Sequence, residues 1–336
     1  MAPSPTLVEV TRGLAVESRH CGAVAVVDAD GATVLALGDV ERPVFARSSV
    51  KALQALPLVE SGAADRFGFA EPELALACAS HAGEPEHVAT AAGALARLGL
   101  DDAALECGAH WPLSDTAARA LAASGVGPSP LHNNCSGKHA GFLCLACAMD
   151  VAPAGYVEAA HPVQREVTAA IEATTGASLA SAPVGTDGCG VPTYAMPLVA
   201  IARGFARFGS GQGLTPARAA AARRLMAAVW SAPNQVSGTG RFDTQAIQAL
   251  GDAVFVKVGA EGVHAAALPA LGLGIAIKID DGAARASETA MAAVLARLLA
   301  PTGDAGDWLA DRVRRPLRNV AGKEVGEVRA ADALLR

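Results

Sequence analysis

The chain has 336 residues, of which 51% are apolar and 18% are charged, so it can bury a sizeable core and is not a disordered protein. The net charge is −6, and no basic stripe is interleaved with aromatic residues, which argues against a nucleic-acid partner. Aromatic residues make up only 4% of the chain, so we expect a core packed with small aliphatic side chains.

The first sixty residues predict strands followed by a helix. Residues 6–12 and 23–28 have the alternation and composition of strands, and an Asp-Gly turn separates the second from another apolar run at 33–37. An Asp-Gly pair between two apolar runs is typical of a β-hairpin. The sequence becomes helical from about Ser48.

Helical periodicity dominates the middle of the chain, from about residue 60 to 230. The last hundred residues change character, because 253–258 and 273–279 have the pattern of strands and 317–329 that of a final hairpin. The predicted helices cover residues 89–98, 117–123, 138–149, 162–175, 197–208, 216–230 and 284–300.

Strands at both ends and helices between them predict an α+β protein. The simplest arrangement is one antiparallel sheet built from both termini, with a helical lobe inserted. We expect one domain with two lobes, a sheet lobe of about residues 1–60 and 235–336 and a helical lobe of about residues 60–235.

Ser48 and Lys51 form a Ser-x-x-Lys quartet at the start of a predicted helix. Residues three apart lie on one face, so the amine can reach the hydroxyl. Burial beside another cation lowers the pKa of a lysine and makes it a usable base. This quartet is the nucleophile motif of serine β-lactamases, but by itself it also fits an ordinary helix start.

Lys257 and Gly259 end a predicted strand near the C-terminus. In serine β-lactamases a Lys-Thr-Gly strand lines the site opposite the nucleophile helix, and here Val258 makes the match partial. The alternative is a solvated strand lysine. The chain order of hairpin, Ser-x-x-Lys helix, helical lobe and Lys-x-Gly strand favours the catalytic interpretation.

Three more segments hold candidate site residues. Ser80 is either a second site hydroxyl or a helix N-cap before Pro85, and spacing alone favours the cap. Cys135 and Cys189 each lie in a short polar segment among glycines. With Asp187 or His139 they suit a metal of soft and borderline character, whereas the alternative is a pair of ordinary buried thiols.

The cysteines and the N-terminus indicate the compartment. Seven cysteines without the spacing of a disulfide scaffold fit a reducing environment. Residues 1–5 lack the basic and apolar regions of a secretory signal, and the apolar runs are too short or interrupted to span a bilayer. We therefore expect a cytoplasmic protein that has no membrane partner.

Taken together, these segments resemble the bacterial L-asparaginases of the Rhizobium type. The resemblance runs from about residue 6 to 329, and its specific motifs are "NNCSGKH" and "GTDGCGVPTY", whereas "SSVK" alone is not specific. The other similar stretches are "FARSSVKALQALPLVESGAADRFGF", "LALACASHAGEPEHV" and "VKVGAEGV".

The resemblance implies a serine β-lactamase-like fold, hydrolysis of L-asparagine to L-aspartate and ammonia, and a homodimer. It also implies two serine–lysine pairs, Ser48 with Lys51 and Ser80 with Lys257. We expect Ser48, activated by neutral Lys51, to attack the carboxamide carbon, while Ser80 and Lys257 relay protons or support the intermediate. Which serine carries the acyl group is left open by the sequence, with Ser48 favoured.

The resemblance further implies zinc bound by Cys135, Lys138 and Cys189, with Asp187 close by to order a metal-bound water. A lysine must lose its proton to bind a metal, so zinc affinity should rise with pH. We expect the metal to organise the site.

Candidate substrate-binding residues are Arg47, Asn134 and Asp187, on their adjacency to the motifs. Two alternative functions remain open. One is another serine acyl hydrolase on the same scaffold, acting on a β-lactam or a peptide. The other is a non-catalytic zinc-binding protein.

Overall fold

Both ends of the chain contribute strands to one antiparallel sheet in the computed structural model, which describes residues 4–335. The strands are β1 (Thr6–Arg12), β2 (Ala15–Asp28), β3 (Thr33–Leu37), β4 (Pro43–Phe45), β5 (Val184–Thr186), β6 (Pro192–Pro197), β7 (Phe255–Val258), β8 (Val263–Leu268), β9 (Leu273–Ile279), β10 (Arg314–Arg318) and β11 (Glu324–Ala330).

The large sheet has the order β10–β11–β1–β2–β9–β8–β7, and β3 also pairs with β2. Neighbouring strands are antiparallel throughout, and β1 and β11 join the two ends of the chain by pairing Val8 with Ala330. The predicted antiparallel sheet from both termini is thereby confirmed. Strands β4, β6 and β5 form a separate small sheet that the sequence did not predict.

Strand β8 was also missed, because its sequence "VHAAAL" has no alternation of polar and apolar residues. Every residue of β8 is buried. A strand that is covered on both faces needs no polar side, so the period-two signal disappears. Helix α9 (Leu198–Ser210) and helix α13 (Ala284–Leu299) both contact this part of the sheet.

The predicted helices are all present, with ends that differ by a few residues. Between residues 4 and 335 no helix is both long and apolar enough to cross a bilayer. The remaining helices are α1 (Lys51–Gln54), α2 (Leu56–Glu60), α3 (Ala63–Arg66), α4 (Glu71–Ala77), α5 (Pro85–Arg97), α6 (Asp115–Ala123), α7 (Ser136–Ala148), α8 (Pro162–Thr175), α10 (Pro216–Ser231), α11 (Pro233–Val236), α12 (Phe242–Leu250), α14 (Asp304–Val313) and α15 (Asp332–Leu335).

Candidate active site

The hydroxyl of Ser80 lies between two lysine amines. Lys51 Nζ is 3.0 Å from Ser80 Oγ, and Lys257 Nζ is 2.9 Å from the same oxygen. All three residues are buried, with exposed fractions of 5% for Ser80, 1% for Lys51 and 0% for Lys257. Three distant parts of the chain therefore bring one hydroxyl and two amines together away from bulk water.

Ser80 is held by the backbone and is not a helix cap. It follows α4 in a segment without regular secondary structure, and its N–H donates to Val236 O at 3.0 Å. The next helix, α5, begins at Pro85 and has Glu84 as its N-cap. The N-cap interpretation of Ser80 is therefore wrong, since the helix starts five residues after it.

Lys51 is the first residue of α1, directly after a 3₁₀ turn at Arg47–Val50. Besides Ser80 Oγ, its amine donates to Ala79 O at 2.5 Å and Asn134 O at 3.4 Å. Three oxygen acceptors therefore surround the amine. This arrangement fixes the amine against the segment that carries Ser80.

Lys257 projects from β7 and also donates to Val258 O at 2.7 Å. Burial lowers the pKa of Lys257 to about 7; the carboxylate of Asp243 opposes this, and the nearby cations Lys51 and Arg241 add to it. Lys257 Nζ lies 4.0 Å from Asp243 Oδ2, and near neutral pH this contact is an ion pair only while the amine is protonated. Lys257 can thus exist as a neutral amine, which is what a base requires.

Asp243 is a site residue that sequence reasoning missed. It lies on α12, and its buried carboxylate accepts from Val258 N at 2.8 Å and pairs with His264 Nε2 at 3.0 Å. Burial alone would raise the pKa of this carboxyl, but the His264 hydrogen bond and the charges of His264 and Lys257 outweigh it and lower the pKa to about 2. A fixed negative charge therefore stands beside Lys257. The signal in the sequence that could have identified Asp243 was an aspartate on the buried face of a helix.

Ser48 and Ser80 line one cavity of about 190 Å³. Ser48 is half-buried, and within residues 4–335 its hydroxyl makes no hydrogen bond to Lys51, whose amine bonds Ser80 instead. A larger cavity of about 510 Å³ lies beside α9 and contains none of these residues. The rest of the smaller cavity is lined by Asn134, Ser237, Arg241, Phe242, Asp243, Val258, Gly259, Ala260, Ala284 and Glu288.

Gly259 lets the end of β7 approach the turn that carries Ser48. A Cβ at position 259 would lie 3.1 Å from both Ala46 O and Ser49 N, closer than such contacts normally allow. The glycine of the Lys-x-Gly pattern therefore lets the two halves of the site pack closely.

Cys135, Lys138 and Cys189 are also together, at the start of α7 and in the loop before β6. Lys138 Nζ donates to Cys189 Sγ at 3.1 Å, and all three residues are buried. A hydrogen bond from Cys189 lowers the pKa of the Cys135 thiol. Burial alone would lower the pKa of Lys138, but the two cysteines and Asp187 outweigh it and raise that pKa.

Two of these three side chains are donors of the kind that zinc takes. They are the thiols of Cys135 and Cys189, and both are shielded from water. Among the described residues no group of three or more His, Cys, Asp or Glu side chains is placed to hold a metal. A metal here would depend on Lys138 as its third donor, with the proton of its ammonium released.

Arg47 and Asp187 bind each other. Arg47 Nε and Nη2 lie 2.9 and 2.8 Å from Asp187 Oδ1. Arg47 has a left-handed backbone, with φ of 50°, so the ion pair is built at a strained position. Neither residue lines the cavity that contains the two serines, whereas Asn134 does.

The chain matches a known protein family. A family model described as L-asparaginase II matches residues 8–330 of the 336-residue chain. That range includes both serines, the lysines that contact Ser80 and the cysteine pair. The search of curated proteins found no match.

Proposed function

The chain belongs to the L-asparaginase II family, as its motifs predicted, and we propose that it hydrolyses L-asparagine to L-aspartate and ammonia with a lysine-activated serine. Membership of this family supports a hydrolase that acts on asparagine. The observation that carries the mechanism is the position of Ser80 Oγ, within 3.0 Å of two buried lysine amines.

Ser80 is the nucleophile that these contacts favour, and neutral Lys257 is its base. Lys257 Nζ takes the hydroxyl proton as Ser80 Oγ forms a bond to the carboxamide carbon. The carbon–nitrogen bond then breaks, and the departing nitrogen takes the proton from Lys257, so that ammonia leaves and an aspartyl ester remains on Ser80. Lys51 Nζ donates to Ser80 Oγ and holds it in place.

Hydrolysis of the ester uses Lys257 in the same way, with water as the nucleophile and Ser80 Oγ as the leaving group. Lys257 takes a proton from water as the water oxygen bonds to the ester carbon. The bond to Ser80 Oγ breaks, and the oxygen takes the proton back from Lys257. The new carboxyl group loses its remaining proton to solvent, aspartate is released, and Ser80 and Lys257 return to their starting states.

Ser48 was favoured as the nucleophile from the sequence, and the contacts favour Ser80 because Lys51 bonds that hydroxyl. Ser48 lines the same cavity, so we propose that it is the second hydroxyl of the site and supports the tetrahedral intermediate. Trapping the acyl-enzyme and identifying the modified peptide by mass spectrometry distinguishes the two serines.

Two further properties are part of the proposal. Cys135, Lys138 and Cys189 would hold a zinc ion, which when bound supplies positive charge and cross-links α7 to the loop before β6. A serine β-lactamase-like architecture is supported by the order of the early hairpin, the Ser-x-x-Lys turn, the helical region and the Lys-x-Gly strand.

The test is ammonia release from asparagine and glutamine, with nitrocefin hydrolysis measured alongside. We expect ammonia from asparagine, and loss of activity by at least about 1000-fold in Ser80→Ala, because the covalent step needs that oxygen. Ser231→Ala is the matched control, since Ser231 lies at the exposed end of α10. Nitrocefin turnover without ammonia release would favour the β-lactam hydrolase, and zinc binding without either activity would favour a non-catalytic protein.

A further inference from the structure

Two opposite charges face the proposed substrate cavity without pairing to each other. Arg241 and Glu288 both line the cavity that contains Ser48 and Ser80. No ion pair within 4.0 Å involves either side chain among residues 4–335. Most other charged groups around the site already form hydrogen bonds or ion pairs within the protein. Arg241 and Glu288 are therefore available to bind a ligand.

Arg241 is held so that part of its guanidinium stays free. Its Nε donates to Ser237 Oγ at 3.0 Å, and Ser237 is only 1% exposed. The backbone N–H of Arg241 donates to Gly238 O at 3.3 Å. Within the described chain the two terminal nitrogens have no hydrogen-bond partner, and such a pair is suited to bind a carboxylate in a bidentate manner.

Glu288 lies in the second turn of α13 and is half-buried. Its carboxylate makes no hydrogen bond to another residue between 4 and 335. Burial raises the pKa of Glu288 and Asp243 raises it further, while the charges of His264, Arg315 and Arg241 oppose the rise. A cation bound beside Glu288 would offset the cost of keeping this carboxylate ionised.

Arg47, the arginine that the sequence suggested for substrate binding, is not free to bind a carboxylate of the substrate. Both Nε and Nη2 of Arg47 are bonded to Asp187, and Arg47 does not line this cavity. A volume of about 190 Å³ is small beside the roughly 300–1,000 Å³ of sites for drug-sized ligands, so it suits a molecule the size of one amino acid.

We propose that Arg241 binds the α-carboxylate and Glu288 the α-ammonium of the substrate, so that the cavity selects a free α-amino acid whose side-chain amide reaches Ser80. The inference rests on the proposed function, since it assigns the recognition step of that same site. It extends that function because it excludes peptides and β-lactams, whose α-amino and carboxyl groups are blocked or differently placed.

The test compares three substrates that differ in one charged group each. L-Asparagine has both groups, succinamate lacks the α-amino group and 3-aminopropanamide lacks the α-carboxylate. We expect Arg241→Gln to lower kcat/KM for asparagine by about 10- to 100-fold but to leave 3-aminopropanamide within about 3-fold. Glu288→Gln should likewise lower asparagine turnover and leave succinamate within about 3-fold. Rates are taken at pH values where activity no longer depends on pH, because Arg241 also lowers the pKa of Lys257.

Controls and a second measurement keep the inference separate from the proposed function. Arg119→Gln and Glu324→Gln change exposed residues of the same types far from the cavity and should leave all three rates unaltered. An equal loss on all three substrates in Arg241→Gln or Glu288→Gln would overturn the assignment, since a merely structural role predicts that result.

The second measurement is the affinity for L-aspartate, determined by calorimetry, which does not depend on turnover. Affinity that falls about 10-fold or more in both variants supports the assignment even if the wild type releases no ammonia, in which case only the proposed function has failed. Wild-type-like affinity in the variants, or no aspartate binding to the wild type, would overturn the assignment even if asparagine is hydrolysed.

Discussion

Lys257 Nζ and Asp243 Oδ2 lie 4.0 Å apart, and neither side chain is exposed to solvent. The carboxylate favours the protonated amine, while burial favours the neutral one by a larger amount. The balance places the pKa of Lys257 at about 7. Together with burial and the nearby cations, this pair therefore sets the pH at which a base becomes available to Ser80.

The activity should depend on pH through Lys257. The neutral amine is the active form, and it is lost as the pH falls through its pKa of about 7. We expect log kcat/KM for asparagine to fall with a slope of one below about pH 7 and to level off above it. A profile that is flat from about pH 6 to pH 8 would remove Lys257 as the base of the free enzyme.

Asp243→Asn should shift the acidic limb of the pH profile, the fall in log kcat/KM at low pH, to lower pH. The substitution removes the negative charge that raises the pKa of Lys257 but keeps an oxygen that can accept from Val258 N. A shift of about one pH unit is expected for a charge at this distance. The comparison variant is Asp252→Asn, an exposed position that should leave the profile unchanged. An unaltered limb in Asp243→Asn would show that the carboxylate does not control the base.

Gly137→Ala should destabilise the protein, whereas Gly93→Ala should not. A Cβ at position 137 would lie 2.5 Å from Leu76 O, where α7 packs on α4, and the backbone would have to move. We expect a loss of about 1–3 kcal/mol in the free energy of unfolding. At Gly93, inside α5, nothing lies within 4 Å, so alanine should stabilise by about 0.5–1 kcal/mol. Denaturant unfolding measures both, and equal values would contradict the close contact.

Cys189→Ser should reduce bound zinc if the cysteine pair holds the metal. Serine is a harder and weaker ligand for zinc than a thiolate, and it leaves Lys138 without its sulfur partner. We expect less zinc per chain by elemental analysis and a lower Tm than in Cys147→Ser, whose cysteine lies further along α7. Equal zinc content in the two variants would place the metal elsewhere.

Local signals predicted the bounds of some regular elements. Helix α8 has the predicted bounds, because a proline opens it and Gly176, with a left-handed φ of 69°, ends it. Strand β9 also begins and ends where predicted, since a glycine precedes it and an Asp-Asp-Gly turn follows. Both boundaries depend on residues next to each other in the chain.

The partners of the site residues could not be predicted in the same way. Spacing placed Lys51 one turn from Ser48, but the oxygen that its amine reaches is set by the packing of the segment after α4. Arg241, Asp243 and Glu288 belong to no motif, and they become site residues only because α12 and α13 meet at one cavity. Such contacts depend on tertiary structure, which a single sequence pattern does not contain.

The pairing of Val8 with Ala330 has a consequence for synthesis on the ribosome. Strand β1 is synthesised long before its neighbour β11, so the sheet stays open at β1 until β11 has been made. A nascent chain that ends before β7 contains both serines and Lys51 but lacks Lys257. Premature release would therefore yield a product that has its nucleophile and not its base.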